Sequence, residues 1–353
     1  MRRRKWLERA KSLLIAVLAL TVLALTVLAL PAKTVTDTPW LAALVRPFAS
    51  VMGLTQGELT ATPMADAASV TGAAQPVAVS VRNPAGRTSF QFDTAALDTA
   101  FEQFGAALGQ ALEGAQEPQR TTALRIQTAL GKTSVAFRYP GEISPALAAS
   151  WLQVETALDE SVRAQWLILA NEDAAVNLYL VGDELFVCQT QLDGDALEQL
   201  LQSCTPDGSF FAFEDAQARF SSVEPLSLLP GQTPQIHAAE AANPCDARFS
   251  DALAATLGFN PYGDARYTDD AGNTTYTETG YALSISASGE LLLRADVQST
   301  RFQAASGEQA ELVECARSLL SAMTAGVNSD ARLYLTDLEQ NGSESVCTFD
   351  YFL

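Results

Sequence analysis

The chain has 353 residues, 48% of them hydrophobic, with 22 Lys and Arg against 41 Asp and Glu, a formal charge of −19. Six of the bases (Arg2, Arg3, Arg4, Lys5, Arg9, Lys11) and one acid (Glu8) crowd the start, which leaves 16 bases against 40 acids in the remainder, a balance of −24. A surface of that sign repels nucleic acid and anionic lipid headgroups, so neither is expected as a partner of that part, and solubility is the plain reading of the charge.

Between Lys11 and Lys33 lie 21 residues without a charge, and Leu13 to Leu30 is almost wholly Leu, Ala, Val and Ile. A helix of that length, rising about 1.5 Å per residue, spans the hydrocarbon core of a bilayer. The run therefore predicts a transmembrane anchor over 12–32 behind a cytoplasmic basic tail at 1–11. By the positive-inside rule everything after it lies outside the cytoplasm, making a single-pass protein of the cell membrane. The competing reading is a cleaved signal peptide. Against it, the apolar core is longer than the usual stretch of about 7 to 15 residues, and Leu30 is a poor residue two places before a terminal Ala32. No Cys follows the run to take a lipid.

Residues 33–75, rich in Ala, Thr, Ser, Gly and Pro, read as a stalk or linker with a short apolar patch from Trp40 to Leu54. A first α+β domain is expected over 76–222. It opens on a hairpin, with Val77, Val79 and Val81 alternating, a turn at Asn83-Pro84-Ala85-Gly86 and a return through Ser89 to Phe92. A helix capped by Asp93 or Thr94 follows, its apolar residues Leu97, Phe101, Phe104, Leu108 and Leu112 at helical spacing. Strands are expected at Ala123 to Thr128 and Ser134 to Tyr139, then a short helix from Ser144 to about Leu152. Further strands fall at Trp166 to Leu169, Val176 to Val181 and Leu185 to Thr190. A helix near Asp195 to Cys204 and a strand around Phe210 to Phe213 close the unit.

Pro225, Pro230 and Pro234 mark a connector over 223–243, and a second α+β domain is expected over 244–353. Its helix from Ala247 to Leu257 has Phe249, Leu253, Ala254 and Leu257 on one face. Strands follow around Ala265 to Thr268, Thr274 to Thr277, Ala282 to Ser286 and Leu291 to Val297. A second helix shows a capping box, Ser306 with Gln309, a stripe of Leu312, Val313, Ala316, Leu319, Leu320 and Met323, and a stop at Gly326. A last hairpin joins Leu333 to Leu338 with Val346 to Phe352 across Asn341-Gly342. Hairpins with single covering helices describe antiparallel sheets rather than parallel βαβ winding.

Chemistry is hard to find in this pattern. The chain has one histidine, His237, in the Pro-rich connector and away from any nucleophile motif, where a surface residue is expected. The cluster Asp264, Asp269, Asp270 with Asn273 lacks the order and distal Glu of a calcium loop and is expected to form polar turns. Two sequons, Asn273-Thr274-Thr275 and Asn341-Gly342-Ser343, fall in hairpin turns. The five cysteines (Cys188, Cys204, Cys245, Cys315, Cys347) are scattered, without CxxC, so that at most two bridges could form, and Cys315 and Cys347 read as small core residues. Phosphate loops are missing. No catalytic, cofactor-binding or metal-binding residue is assigned, and no cofactor.

Several segments resemble the YycH/YycI family, membrane-anchored regulators of the cell-wall sensor histidine kinase of Gram-positive bacteria. In the first unit these are Ala129-Leu130, Ser134-Val135-Ala136-Phe137-Arg138-Tyr139-Pro140, Ile143, Leu147 and Trp151-Leu152, similar to that family's strand, proline and short helix ending in Trp. In the second they are Leu257-Gly258-Phe259-Asn260-Pro261-Tyr262, Tyr276-Thr277-Glu278, Leu283-Ser284-Ile285 and Gly289-Glu290-Leu291. The resemblance implies contact of Leu13 to Leu30 with the kinase's transmembrane helices, a second family member as a further partner, and no catalysis. In lipid such contact rests on close packing, for which Ala16, Ala19, Ala24 and Ala29 offer small sites. Two other readings stay open: an exported cell-wall hydrolase using a carboxylate pair, and an envelope protein that binds a ligand or peptide in a groove of one sheet.

Overall fold

The computed structural model describes residues 75–234, 243, 245–263, 265–296, 301–304, 306–324, 332–341 and 344–352. The predicted anchor, nearly all of the stalk, His237, Asp264 and Gly326 lie outside them. Among the described residues no helix is long and apolar enough to cross a membrane.

Strands β1 (Ala78–Asn83) and β2 (Gly86–Phe90) form the expected hairpin. Its turn is held by Asn83, whose Oδ1 accepts the amides of Ala85 (3.0 Å) and Gly86 (3.1 Å) while Nδ2 donates to the carbonyls of Leu201 and Cys204. Helix α1 (Thr94–Glu113) follows with Asp93 as cap, and all five residues read as its apolar face are buried. A two-residue strand β3 (Gln119–Arg120) comes next.

The stretch expected as a strand over Ala123 to Thr128 is instead a helix, α2 (Ala123–Leu130), capped by Thr122. The apolar residues Ile126, Ala129 and Leu130 fall at i, i+3 and i+4, so a helix buries all three together, whereas a strand would put Ile126 and Ala129 on opposite faces.

Strand β4 (Ser134–Ile143) runs past Pro140 through an irregularity in its pairing, where the missing N–H breaks no ladder bond. It leads into helix α3 (Pro145–Trp151), whose cap Ser144 accepts the Leu147 amide at 3.1 Å. Strands β5 (Ala164–Glu172), β6 (Ala175–Val181) and β7 (Leu185–Asp193) and helix α4 (Gly194–Leu201) follow. A small pair, β8 (Phe210–Phe211) with β9 (Leu228–Leu229), brackets a 3₁₀ turn over Ala212–Glu214.

The seven strands lie in the order β2-β1-β4-β5-β6-β7-β3, every pair antiparallel. Both faces are covered, and so the central strands read as continuous apolar runs. In register, Phe137, Leu167 and Leu180 point to the side of α1, α3 and α4. Ala136, Ile168 and Tyr179 point to the side of α2 and Phe211. Each Leu, Ile or Phe so buried contributes about 1.5–3 kcal/mol.

Downstream, α5 (Ala247–Thr256), capped by Asp246, covers a four-stranded antiparallel sheet, β10 (Arg266–Thr268), β11 (Thr274–Glu278), β12 (Tyr281–Ile285) and β13 (Leu291–Ala295). Tyr276, Leu283 and Ile285 meet Leu253, Ala254 and Leu257 there, with Met323 from helix α6 (Gln309–Thr324). The other end of α6 sends Val313 into the core of the seven-stranded sheet, together with Leu335 and Leu338 of β14 (Arg332–Asn341). Strand β15 (Glu344–Phe352) completes the last hairpin. The expected capping box does not form: Ser306 accepts the Glu308 amide, while the buried Gln309 accepts the Ser144 hydroxyl at 2.8 Å and donates to Gln340. Arg163 adds a bond to the Leu338 carbonyl (3.1 Å), and Arg332 pairs with Asp98 of α1.

Candidate functional site

The polar residues singled out in the sequence, where described, serve the fold. Asp269 accepts the amides of Ala271 (2.9 Å) and Asn273 (2.8 Å) and the Asn273 side chain (2.8 Å), contacts that hold its carboxyl below the usual range. Asn273 in turn accepts the Ala287 amide at 3.1 Å, tying two hairpin turns together. Among the described residues no three of His, Cys, Asp and Glu gather as metal ligands.

All five cysteines are unpaired. Burial in the first core pushes the Cys188 thiol up to about 12. Since the thiolate is the reacting species, Cys188 is expected to resist iodoacetamide at pH 8 in the folded chain and to react once urea unfolds it. Labelling of Cys188 under native conditions at the unfolded rate would contradict its placement.

Two charge clusters stand out. Burial alone would raise the Glu172 carboxyl, but bonds from Tyr179 (2.9 Å) and Asn177 (2.6 Å), with Lys132 and Arg125 nearby, hold it below the usual range. A depressed folded value gives stability that is complete above the unfolded carboxylate range and disappears as pH falls through the folded value. Glu172→Gln is therefore expected to cost about 1–2 kcal/mol at pH 7 and close to nothing at pH 2. Urea unfolding of both proteins at the two pH values checks this, and an equal loss at both would refute it. The second cluster is Arg87, whose side chain is 1% exposed and forms a two-point pair with Glu214 at 2.9 and 3.1 Å. Arg87 also donates to Ser80 and to the Leu130 carbonyl, and its guanidinium lies over the Phe211 ring.

A cleft of about 460 Å³ lies where β2 gives way to α1. One wall is Ser89 to Asp93 with Ala96, and the other is Asp207 with residues 230–234. Up to Ser89 the outer edge of β2 is closed by the neighbouring segment: the Asp207 amide donates to the Arg87 carbonyl at 3.1 Å, the Ser89 amide donates to Asp207 Oδ2 at 3.0 Å, and Thr88 Oγ1 donates to the Thr205 carbonyl. Beyond Ser89 that cover stops. Phe92 stands 60% exposed at the rim, and Asp93 is held by the α1 amides it caps. Sequence reading placed Ser89 to Phe92 in a strand but missed the cleft, because its second wall comes from the Pro-rich stretch more than a hundred residues away. The period-two alternation of Phe90 and Phe92 was the one local sign.

No family model and no curated protein matches the chain. Among solved structures, that of YycH from Bacillus subtilis is similar, at 12% identity and a TM-score of 0.46, covering 80% of this chain and 72% of that one.

Proposed function

We propose that this chain is a membrane-anchored, non-enzymatic regulator of a sensor histidine kinase that controls cell-wall homeostasis, acting through the helix at Leu13 to Leu30 and the domains that follow it. The reading is carried by the segments that resemble the YycH/YycI family, because they occupy positions the fold depends on. Ser134 to Tyr139 is the strand β4, Pro140 marks its irregularity, and Ser144 to Trp151 is the capped helix α3.

In the second patch, Gly258 has φ +82° and ends α5 in a Schellman turn. The Phe259 amide donates to the Ala254 carbonyl (2.8 Å) and the Gly258 amide to the Ala255 carbonyl (3.1 Å), and Phe259 is buried. These are packing and turn positions, the kind that relatives share through architecture. The proposed partners are the kinase's transmembrane helices and a second family member.

Exchanging Leu13 to Leu30 for an unrelated apolar helix of equal length is expected to abolish regulation while leaving the amount of protein unchanged. Kinase output measured with a reporter in cells carrying the exchange decides it, and unchanged output would sink the proposal for the anchor.

A further inference from the structure

The cleft beside β2 has the makings of a place for one more strand. In β2 the hydrogen-bonding direction alternates, and the contacts of the Arg87 carbonyl and the Ser89 amide with Asp207 show that its odd-numbered residues aim their backbone groups away from β1. The Ser89 carbonyl therefore faces the cleft, and the same alternation carried one residue past the end of β2 turns the backbone of Gln91, which also lines the cleft, the same way. Among the described residues no backbone group pairs with them. An edge left open in this way is a template for another chain, and most edges in natural proteins are blocked. The outer edge of β7, at the other side of the sheet, carries β3, and the rest of β2 carries the segment around Asp207.

The walls say what kind of strand would fit. Phe90, Phe92, Pro230 and Pro234 supply apolar surface, Asp93 and Asp207 supply the charge, and no Lys or Arg lines the cleft. Each aspartate spends part of its hydrogen-bonding capacity on backbone amides, and a carboxylate with its lone pairs so shared still attracts a cation. A second copy of this chain is a poor occupant, since a balance of −24 beyond the N-terminal bases opposes self-association.

We propose that this cleft takes an extended segment of another polypeptide, alternately apolar and basic, which adds to the edge of β2 by backbone bonds to Ser89 and Gln91. Side chains of one parity rest on Phe92, and those of the other reach the aspartates. The inference goes beyond the regulatory reading and does not depend on it.

The test uses the full-length chain in detergent micelles. The probe is a fluorescein-labelled octapeptide alternating valine and lysine, compared with one alternating valine and glutamate and with a valine–lysine peptide N-methylated at alternate residues. Anisotropy is expected to show binding of the first peptide alone, weakening as salt is raised. Hydrogen exchange should slow at residues 89–92 when it binds.

Gln91→Pro removes the free amide and is expected to weaken binding about tenfold, the equivalent of one hydrogen bond. Phe92→Ala, at an exposed position that the fold does not need, is expected to weaken it about fivefold through lost apolar contact, and it carries the test if the proline variant fails to fold. Equal binding of the glutamate or N-methylated peptide, unchanged affinity in Phe92→Ala, or no binding of the valine–lysine peptide would each overturn the proposal.

Discussion

Gly141→Ala is expected to lower stability by about 3 kcal/mol or more and to loosen the C-terminal hairpin. A Cβ at this position would sit 1.7 Å from the carbonyl oxygen of Thr336 and 2.5 Å from its carbonyl carbon. Both contacts are with backbone, so no side chain can turn aside to make room. Either β14 moves off β4 or β4 distorts at the irregularity near Pro140, and each uncovers Leu335 and Leu338, which are only 7% and 3% exposed. Gly307 is the control, since nothing lies within 4 Å of a Cβ there, and Gly307→Ala should stay within about 0.5 kcal/mol of the parent. Urea unfolding gives the size of the effect, and hydrogen exchange over 332–341 gives its place. A Gly141→Ala protein with the parent's midpoint would show that the hairpin does not sit against β4 as described.

The other large effect is expected at Glu214. Burial drives the Arg87 guanidinium toward a lower pKa, and the two bonds it donates to Glu214 act against this. Glu214→Ala leaves a cation inside the protein with only the Ser80 hydroxyl, the Leu130 carbonyl and the face of Phe211 for company. Breaking a buried pair from one side typically costs about 3–5 kcal/mol, because the surviving charge has neither water nor partner. Arg87→Met combined with Glu214→Leu removes both charges and should recover most of the loss. Thermal or urea unfolding of the parent and the two variants separates the pair's net worth from the penalty of orphaning one member. If Glu214→Ala were as stable as the parent, Arg87 would have to be hydrated.

The elements were legible where a local period was long and clear. Helix α1 announced itself through Leu97, Phe101, Phe104, Leu108 and Leu112, and the hairpin of β1 and β2 through its valines and its turn. Ala123 to Leu130 was too short for its period to decide, and the packing of Ile126, Ala129 and Leu130 under the sheet settled it as a helix. Gln309 had the spacing of a capping residue, but a buried Ser144 hydroxyl, brought in from far along the chain, took its side chain instead.

That kind of contact leaves no trace in a local window. The same holds for the cleft, whose two walls belong to segments with no shared pattern. Nothing in a local window pairs Arg87 with Glu214, which meet only through the 3₁₀ turn that ends at Glu214.

The meeting of Gly141 with Thr336 also sets an order in time. The strand that receives the hairpin is made well before the hairpin itself. Until the hairpin has been made, the side of β4 next to α3 lacks its cover of Leu335 and Leu338. Contacts between such distant segments form slowly, because a long loop must close before they contribute anything. A growing chain would thus carry an unsealed apolar seam from the time β4 is made until the hairpin follows, a period in which a chaperone has something to hold and aggregation has somewhere to start.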